Sequence, residues 1–126
     1  MRTISLLPAL LVASEALVGT PVAAQVIKET VPGITNYARV ESTVACAGAI
    51  TTQVVPELKR MGYKSIINLR QASEPGANVE AEGAAANAAG IRYFHIPFNV
   101  AARDPAVVDA FLKAITTPGV EPAFIH

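Results

Sequence analysis

Apolar positions along this chain come first in short β-branched and aromatic runs, then at helical spacing, and the two patterns alternate to the end. Residues 37–40 and 44–47 form two such runs and predict two strands. Val54, Val55, Leu58 and Met61 then recur at helical intervals. They predict a helix with Thr51 or Thr52 as N-cap, Pro56 near the first turn where it costs little, and Gly62 as the stop. Residues 65–69, Ser-Ile-Ile-Asn-Leu, fit a strand buried on both faces, with Arg70 at its carboxyl end. After a Glu74-Pro75-Gly76 turn, residues 78–89 are rich in alanine and glutamate and end at Gly90, which predicts a second helix. Residues 91–98 predict a further strand. Asp104-Pro105 opens a third helix through Ile115, which Pro118-Gly119 closes before Ala123-Phe124-Ile125-His126.

Strands alternating with helices through short connections imply an α/β fold, a mostly parallel central sheet flanked by helices. Residues 25–33 read as a short leader to this domain. A parallel strand normally feeds another helix, so the run 123–126 predicts a domain incomplete at its C-terminus. A central strand left uncovered and an open edge would leave such a domain marginal or prone to aggregate.

With 126 residues, 52% hydrophobic and 16% charged, the chain suits one packed domain and not a disordered tail. Ten Lys and Arg balance ten Asp and Glu, so no basic field exists to hold a phosphate backbone, and nucleic acid is excluded as an expected partner. The single cysteine, Cys46, excludes an internal disulfide. Two histidines far apart, His95 and His126, fit no common zinc spacing, so no metal is expected. Residues 1–24 have the pattern of a secretory signal peptide: Met1-Arg2, an apolar run over 4–12, and Val22-Ala23-Ala24 before Gln25. A membrane anchor is the alternative, but Glu15 and Pro21 leave the stretch short of the roughly 20 apolar residues that span a bilayer. Cleavage after Ala24 removes one basic and one acidic residue, Arg2 and Glu15. The expectation is a neutral domain, 25–126, secreted or periplasmic and free of the membrane.

Four stretches carry a resemblance: 44–49 (Val-Ala-Cys-Ala-Gly-Ala), 58–70 (Leu-Lys-Arg-Met-Gly-Tyr-Lys-Ser-Ile-Ile-Asn-Leu-Arg), 93–98 (Tyr-Phe-His-Ile-Pro-Phe) and 122–126 (Pro-Ala-Phe-Ile-His). Each is weak alone, but their order and spacing resemble the cysteine-dependent phosphatases of the dual-specificity type. Among these the resemblance is to the bacterial beta-lactamase hydrolase-like protein, phosphatase-like domain. It implies phosphomonoester hydrolysis through a phosphocysteine, a phosphorylated substrate and no cofactor. It also implies that Cys, five residues and Arg should follow His126, a loop whose N–H groups cradle phosphate and lower the thiol pKa. The 126 residues do not include that loop, so the chain is expected to be catalytically inactive.

The resemblance gives His126 the place before the nucleophile, holding the phosphate loop and tuning the thiol; a solvated terminal histidine is the alternative. Asp104 matches the family's general acid, yet Asp before Pro105 is also an ordinary helix cap; Asp109, mid-helix, is a weaker substitute. Arg70 could contact the bound anion or serve as an ion-pair partner for Glu74. Cys46, amid alanines, reads as a small buried hydrophobe and not a nucleophile. His95 reads as a satisfied strand histidine, and Gly83 with the alanines from Ala84 to Ala89 as a thin helix lying close on the sheet. Two other functions stay open, a non-catalytic exported binding module and a rhodanese-like sulfurtransferase.

Overall fold

The computed structural model describes residues 23–126. The signal-peptide reading falls outside the described residues except for Ala23 and Ala24. Six strands form one sheet: β1 (Val26–Lys28), β2 (Ala38–Val40), β3 (Val44–Cys46), β4 (Ser65–Asn68), β5 (Arg92–His95) and β6 (Ala123–Ile125). Three helices connect them: α1 (Val55–Arg60), α2 (Val79–Ala89) and α3 (Pro105–Ile115). Spatial order is β1-β2-β3-β6-β4-β5. The first two pairings are antiparallel, and β3 with β6, β6 with β4, and β4 with β5 are parallel.

Each helix forms where the sequence marks it. A single 3-10 turn, Thr52–Val54, leads into α1, which has proline in its first turn and buries Val55 and Leu58 completely. Neither Thr51 nor Val54 caps through its side chain, so the threonine cap expected there is not made. Helix α2 ends on Gly90 at φ 68°, the left-handed cap that glycine adopts without a Cβ clash. Helix α3 begins behind Asp104, whose side chain caps it.

Alternation along the strands divides the core in two. Ala45, Ile66 and Phe124 face α1 and α2, together with Tyr37, Tyr63, Leu58 and Ala86. Ile67 and Ala123 face the other way, against Phe111, Ala114 and Ile115 of α3 and against Val120. Phe124 is wholly buried, which stabilises by roughly 1.5–3 kcal/mol for a side chain of its size.

Two expectations are corrected. Residues 25–33 are not merely a leader: Val26–Lys28 pairs with β2 in register Val26 to Val40, as an outer strand. And the central strand at the end of the chain, expected to be uncovered, is covered on both faces. The connection through α3 places β6 between β3 and β4, where Ala123 and Phe124 are fully buried and both sides are hydrogen-bonded. The edges of the sheet are β1 and β5. Among the described residues no helix is long and apolar enough to cross a membrane.

Candidate active site

Because β3, β6, β4 and β5 run parallel, their carboxyl ends lie along one rim of the sheet. In open sheets of this kind, ligands bind outside that rim. Cys46, His126, Asn68 and His95 all stand at or just beyond these strand ends, with Arg70 two residues past Asn68.

Below the rim lies a buried polar chain. Asn68, 1% exposed, donates from Nδ2 to Tyr93 Oη at 3.0 Å and to Glu82 Oε1 at 3.3 Å, and its Oδ1 accepts the Arg70 backbone N–H at 2.8 Å. The same Glu82 oxygen lies 2.7 Å from Nε2 of His126. The side chains of His126 and Glu82 are only 1% and 6% exposed. Four elements thus meet: β4 supplies Asn68, α2 Glu82, β5 Tyr93, and the residue after β6 is His126. Burial, and then the Glu82 charge, push the Tyr93 hydroxyl up to about 12, which leaves it a neutral hydrogen-bonding group. His126 is also tied through its backbone, which donates to Ile67 at 3.1 Å and accepts from Leu69 at 2.6 Å. The solvated reading of His126 is therefore overturned, because β6 lies in the middle of the sheet and carries its carboxyl end under cover.

Arg70 is held by its neighbours. Nε donates to Glu74 Oε2 at 3.1 Å and Nη2 to the Pro75 carbonyl at 2.9 Å. The structure makes the ion pair with Glu74 and not an open guanidinium. The Gln71 N–H, and then Arg70, hold the Glu74 carboxyl below its usual range. His95 donates from Nε2 to the Arg70 carbonyl at 2.8 Å, so it is the satisfied strand histidine expected. The Arg70 backbone and the His126 ring are linked through Asn68 and Glu82.

Asp104 stands apart from that chain. Its Oδ1 accepts the Ala106 N–H at 2.9 Å, and it is exposed beside a shallow groove lined by Phe98, Arg103, Pro105, Val108 and Asp109. The cap reading is observed. Asp109, on the same exposed helix surface, makes no cap.

Cys46 is exposed, which corrects the reading of a buried hydrophobe. Alternation gives the buried position to Ala45, and Cys46 faces the side where α3 packs on residues of β4, β5 and β6 but not on β3. Partial burial still raises its thiol pKa, the wrong direction for a nucleophile. Gly83 lies close on the sheet as expected: a Cβ there would stand 3.2 Å from Tyr93 Cδ1. Among the described residues no group of three His, Cys, Asp or Glu side chains is placed to hold a metal ion.

Asn68, Glu82 and Tyr93 were not legible as site residues. One signal existed for Glu82. It stands four residues before Ala86, and these two are the buried positions of α2, so an acid shares the stripe that packs on the sheet.

Comparison with known proteins gives a consistent assignment. Residues 36–124 match the family model described as beta-lactamase hydrolase-like protein, phosphatase-like domain. A comparison with curated protein sequences finds no match. Among solved structures, a candidate phosphatase of the DUF442 group from Shewanella putrefaciens is 26% identical with a TM-score of 0.67, over 75% of this chain and 59% of that one. TpbA from P. aeruginosa shares the fold at 21% identity and a TM-score of 0.58, over 85% of this chain and 60% of that one. TpbA has also been solved in complex with pTyr. The core catalytic domain of the PP-IP phosphatase SIW14 from S. cerevisiae shares it at 16% identity and 0.54, over 71% of this chain and 54% of that one. This chain spans less than two thirds of each of these proteins. With most of its length matched by one family model, the chain belongs to the beta-lactamase hydrolase-like protein, phosphatase-like domain family.

Proposed function

We propose that this domain serves phosphomonoester hydrolysis through a phosphocysteine, with the phosphate loop leaving the sheet at the carboxyl end of β6. The observation that carries this reading is His126, anchored through Glu82 and through its own backbone at the end of the central strand. A loop starting from so fixed a point would present its backbone N–H groups to an anion in one geometry. In the reaction the thiolate attacks phosphorus, the bond from phosphorus to the leaving oxygen breaks, and Asp104 protonates that oxygen. Water then cleaves the phosphocysteine, releasing inorganic phosphate and regenerating the thiolate. Arg70 would brace the rim through Glu74 and Asn68 and not touch substrate.

The 126 residues hold one cysteine, and Cys46 lacks the setting of a nucleophile, so we assign them no turnover by themselves. The substrate class best supported is an aryl phosphate, since TpbA, which shares the fold, accommodates pTyr. The leader over residues 1–24 supports export to the periplasm or medium, followed by cleavage. Mature protein recovered from those fractions should begin at Gln25.

Hydrolysis of p-nitrophenyl phosphate tests the reading. The 126-residue chain should match the buffer blank, a chain carrying Cys, five residues and Arg after His126 should turn over, and Cys46→Ser should change neither. Turnover by the 126 residues that survives Cys46→Ser would show that the nucleophile lies elsewhere.

A further inference from the structure

Glu82 is an acidic side chain in the interior of the domain, on a helix built mostly of alanine, and it contacts no lysine or arginine among the described residues. Burying a carboxylate is costly unless donors satisfy it. Two donors reach its Oε1, the Asn68 amide at 3.3 Å and the His126 ring at 2.7 Å, and the shorter bond is to the ring. Tyr93 adds a neutral hydroxyl to the chain without touching the imidazole, while Phe124 lies beside the ring with centroids 5.8 Å apart. Arg70, the nearest cation in the chain of contacts, is engaged by Glu74. Cys46, on the neighbouring strand, pairs with Ile125 and lies on the opposite face from Ala45.

A carboxylate oxygen only accepts, so the nitrogen facing it must carry the proton. The second ring nitrogen of His126, Nδ1, is buried and has no partner among the described residues. An unpaired buried polar atom of this kind costs roughly what a lost hydrogen bond costs, so it calls for a partner of its own.

We propose that Glu82 is a positioning residue, which fixes the His126 ring with its proton on Nε2 and thereby reserves Nδ1 for the site at the carboxyl end of β6. The idea that Nδ1 serves catalysis rests on the phosphatase reading; the tautomer assignment does not. Glu82 would act through His126 and never touch substrate. A charge-assisted bond biases the two tautomers by roughly ten- to a hundredfold, and a neutral acceptor reduces that bias roughly tenfold.

The test is a long-range nitrogen–proton spectrum of the histidine rings in the full 126-residue chain, above the pH at which the rings are charged. Only two histidines contribute, and His95, exposed and bonded to the Arg70 carbonyl, serves as the internal reference. The expected result is His126 as a single Nε2–H form in the parent. In Glu82→Gln it should be a mixture, because a glutamine amide can turn either its oxygen or its NH₂ to the ring. Tyr93→Phe, which removes the hydroxyl from Asn68 and from the neighbourhood of Glu82 but no bond to the ring, should leave the single form intact. A parent ring with its proton on Nδ1, or a tautomer unchanged in folded Glu82→Gln, overturns the proposal. Should Glu82→Gln fail to fold, the parent spectrum alone still decides it, and lack of phosphatase activity in any longer chain would leave that spectrum unaffected.

Discussion

Two roles compete for Asp104, and a pair of substitutions separates them. Its Oδ1 accepts the Ala106 N–H at 2.9 Å with Pro105 in the first turn, so it satisfies one of the free donors at the start of α3. Replacing it by alanine removes that bond and should cost about 1 kcal/mol, within a range of about 0.5–2. For a domain of this size that lowers the melting temperature by roughly 4–8 °C per kcal/mol. Asparagine caps about as well as aspartate, so Asp104→Asn loses only the attraction of a negative charge to the helix N-terminus, about 0.3–1 kcal/mol. Thermal melts followed by circular dichroism should therefore rank parent, Asn, Ala. If Asn melts as low as Ala, the capping argument is wrong. Turnover should rank differently, because neither replacement can give a proton to a leaving oxygen. In a chain carrying the phosphate loop, both variants should lose roughly 10²–10⁴ in rate on phenyl phosphate and less on p-nitrophenyl phosphate, whose leaving group needs less help. Full activity of Asp104→Asn on phenyl phosphate would remove Asp104 from the mechanism.

Gly83→Ala gains about 1 kcal/mol of helix propensity but crowds Tyr93, whose hydroxyl is held by Asn68, and overpacking of that kind costs about 1–3 kcal/mol. Its melting temperature should stay level or fall, while Asn87→Ala on the exposed side of α2 raises it; a rise for Gly83→Ala would mean that α2 does not lie close on β5. Glu74 has its carboxyl lowered in the folded state, so its stabilisation is present above the ordinary carboxylate range and is lost as pH falls through the lowered folded value. The melting difference between the parent and Glu74→Gln should accordingly be greatest near pH 7 and shrink below about pH 4; a difference that grows in acid contradicts the arrangement at Arg70.

Elements with local punctuation were legible in the sequence. Gly62, Gly90 and Asp104-Pro105 mark helix ends because turn geometry and capping are decided by neighbours in the chain, and α1, α2 and α3 fall within a few residues of expectation. Strand β1 was missed since three outer residues, with only Ile27 partly buried, carry too short an alternation to read. A central place for β6 was expected, but its two neighbours, β3 and β4, were hidden, because strand order depends on which crossover closes over which face. At the site, Asp104 and Arg70 declared their local partners. The Glu82–His126 pair joins residues 44 positions apart, and an acid on an alanine-rich helix resembles a solvated one until the packing direction of that helix is known.

The place of β6 also governs the order in which the sheet can form. The β1-β2-β3 antiparallel unit and the β4-β5 pair share no direct strand pairing; β6 alone joins them, with Val44 opposite Ala123 on one side and Ser65 opposite Ala123 on the other. On a ribosome, both units can emerge and pair internally, yet they remain two separate ribbons until the residues of β6 arrive. The step that unites them pairs Ala123 with Val44 and Ser65, which is the kind of non-local pairing that slows folding. Until then Ala45 and Ile66, neighbours of Phe124 in the finished sheet, have no strand between them, and that interval is when a chaperone or a second nascent chain would find them exposed.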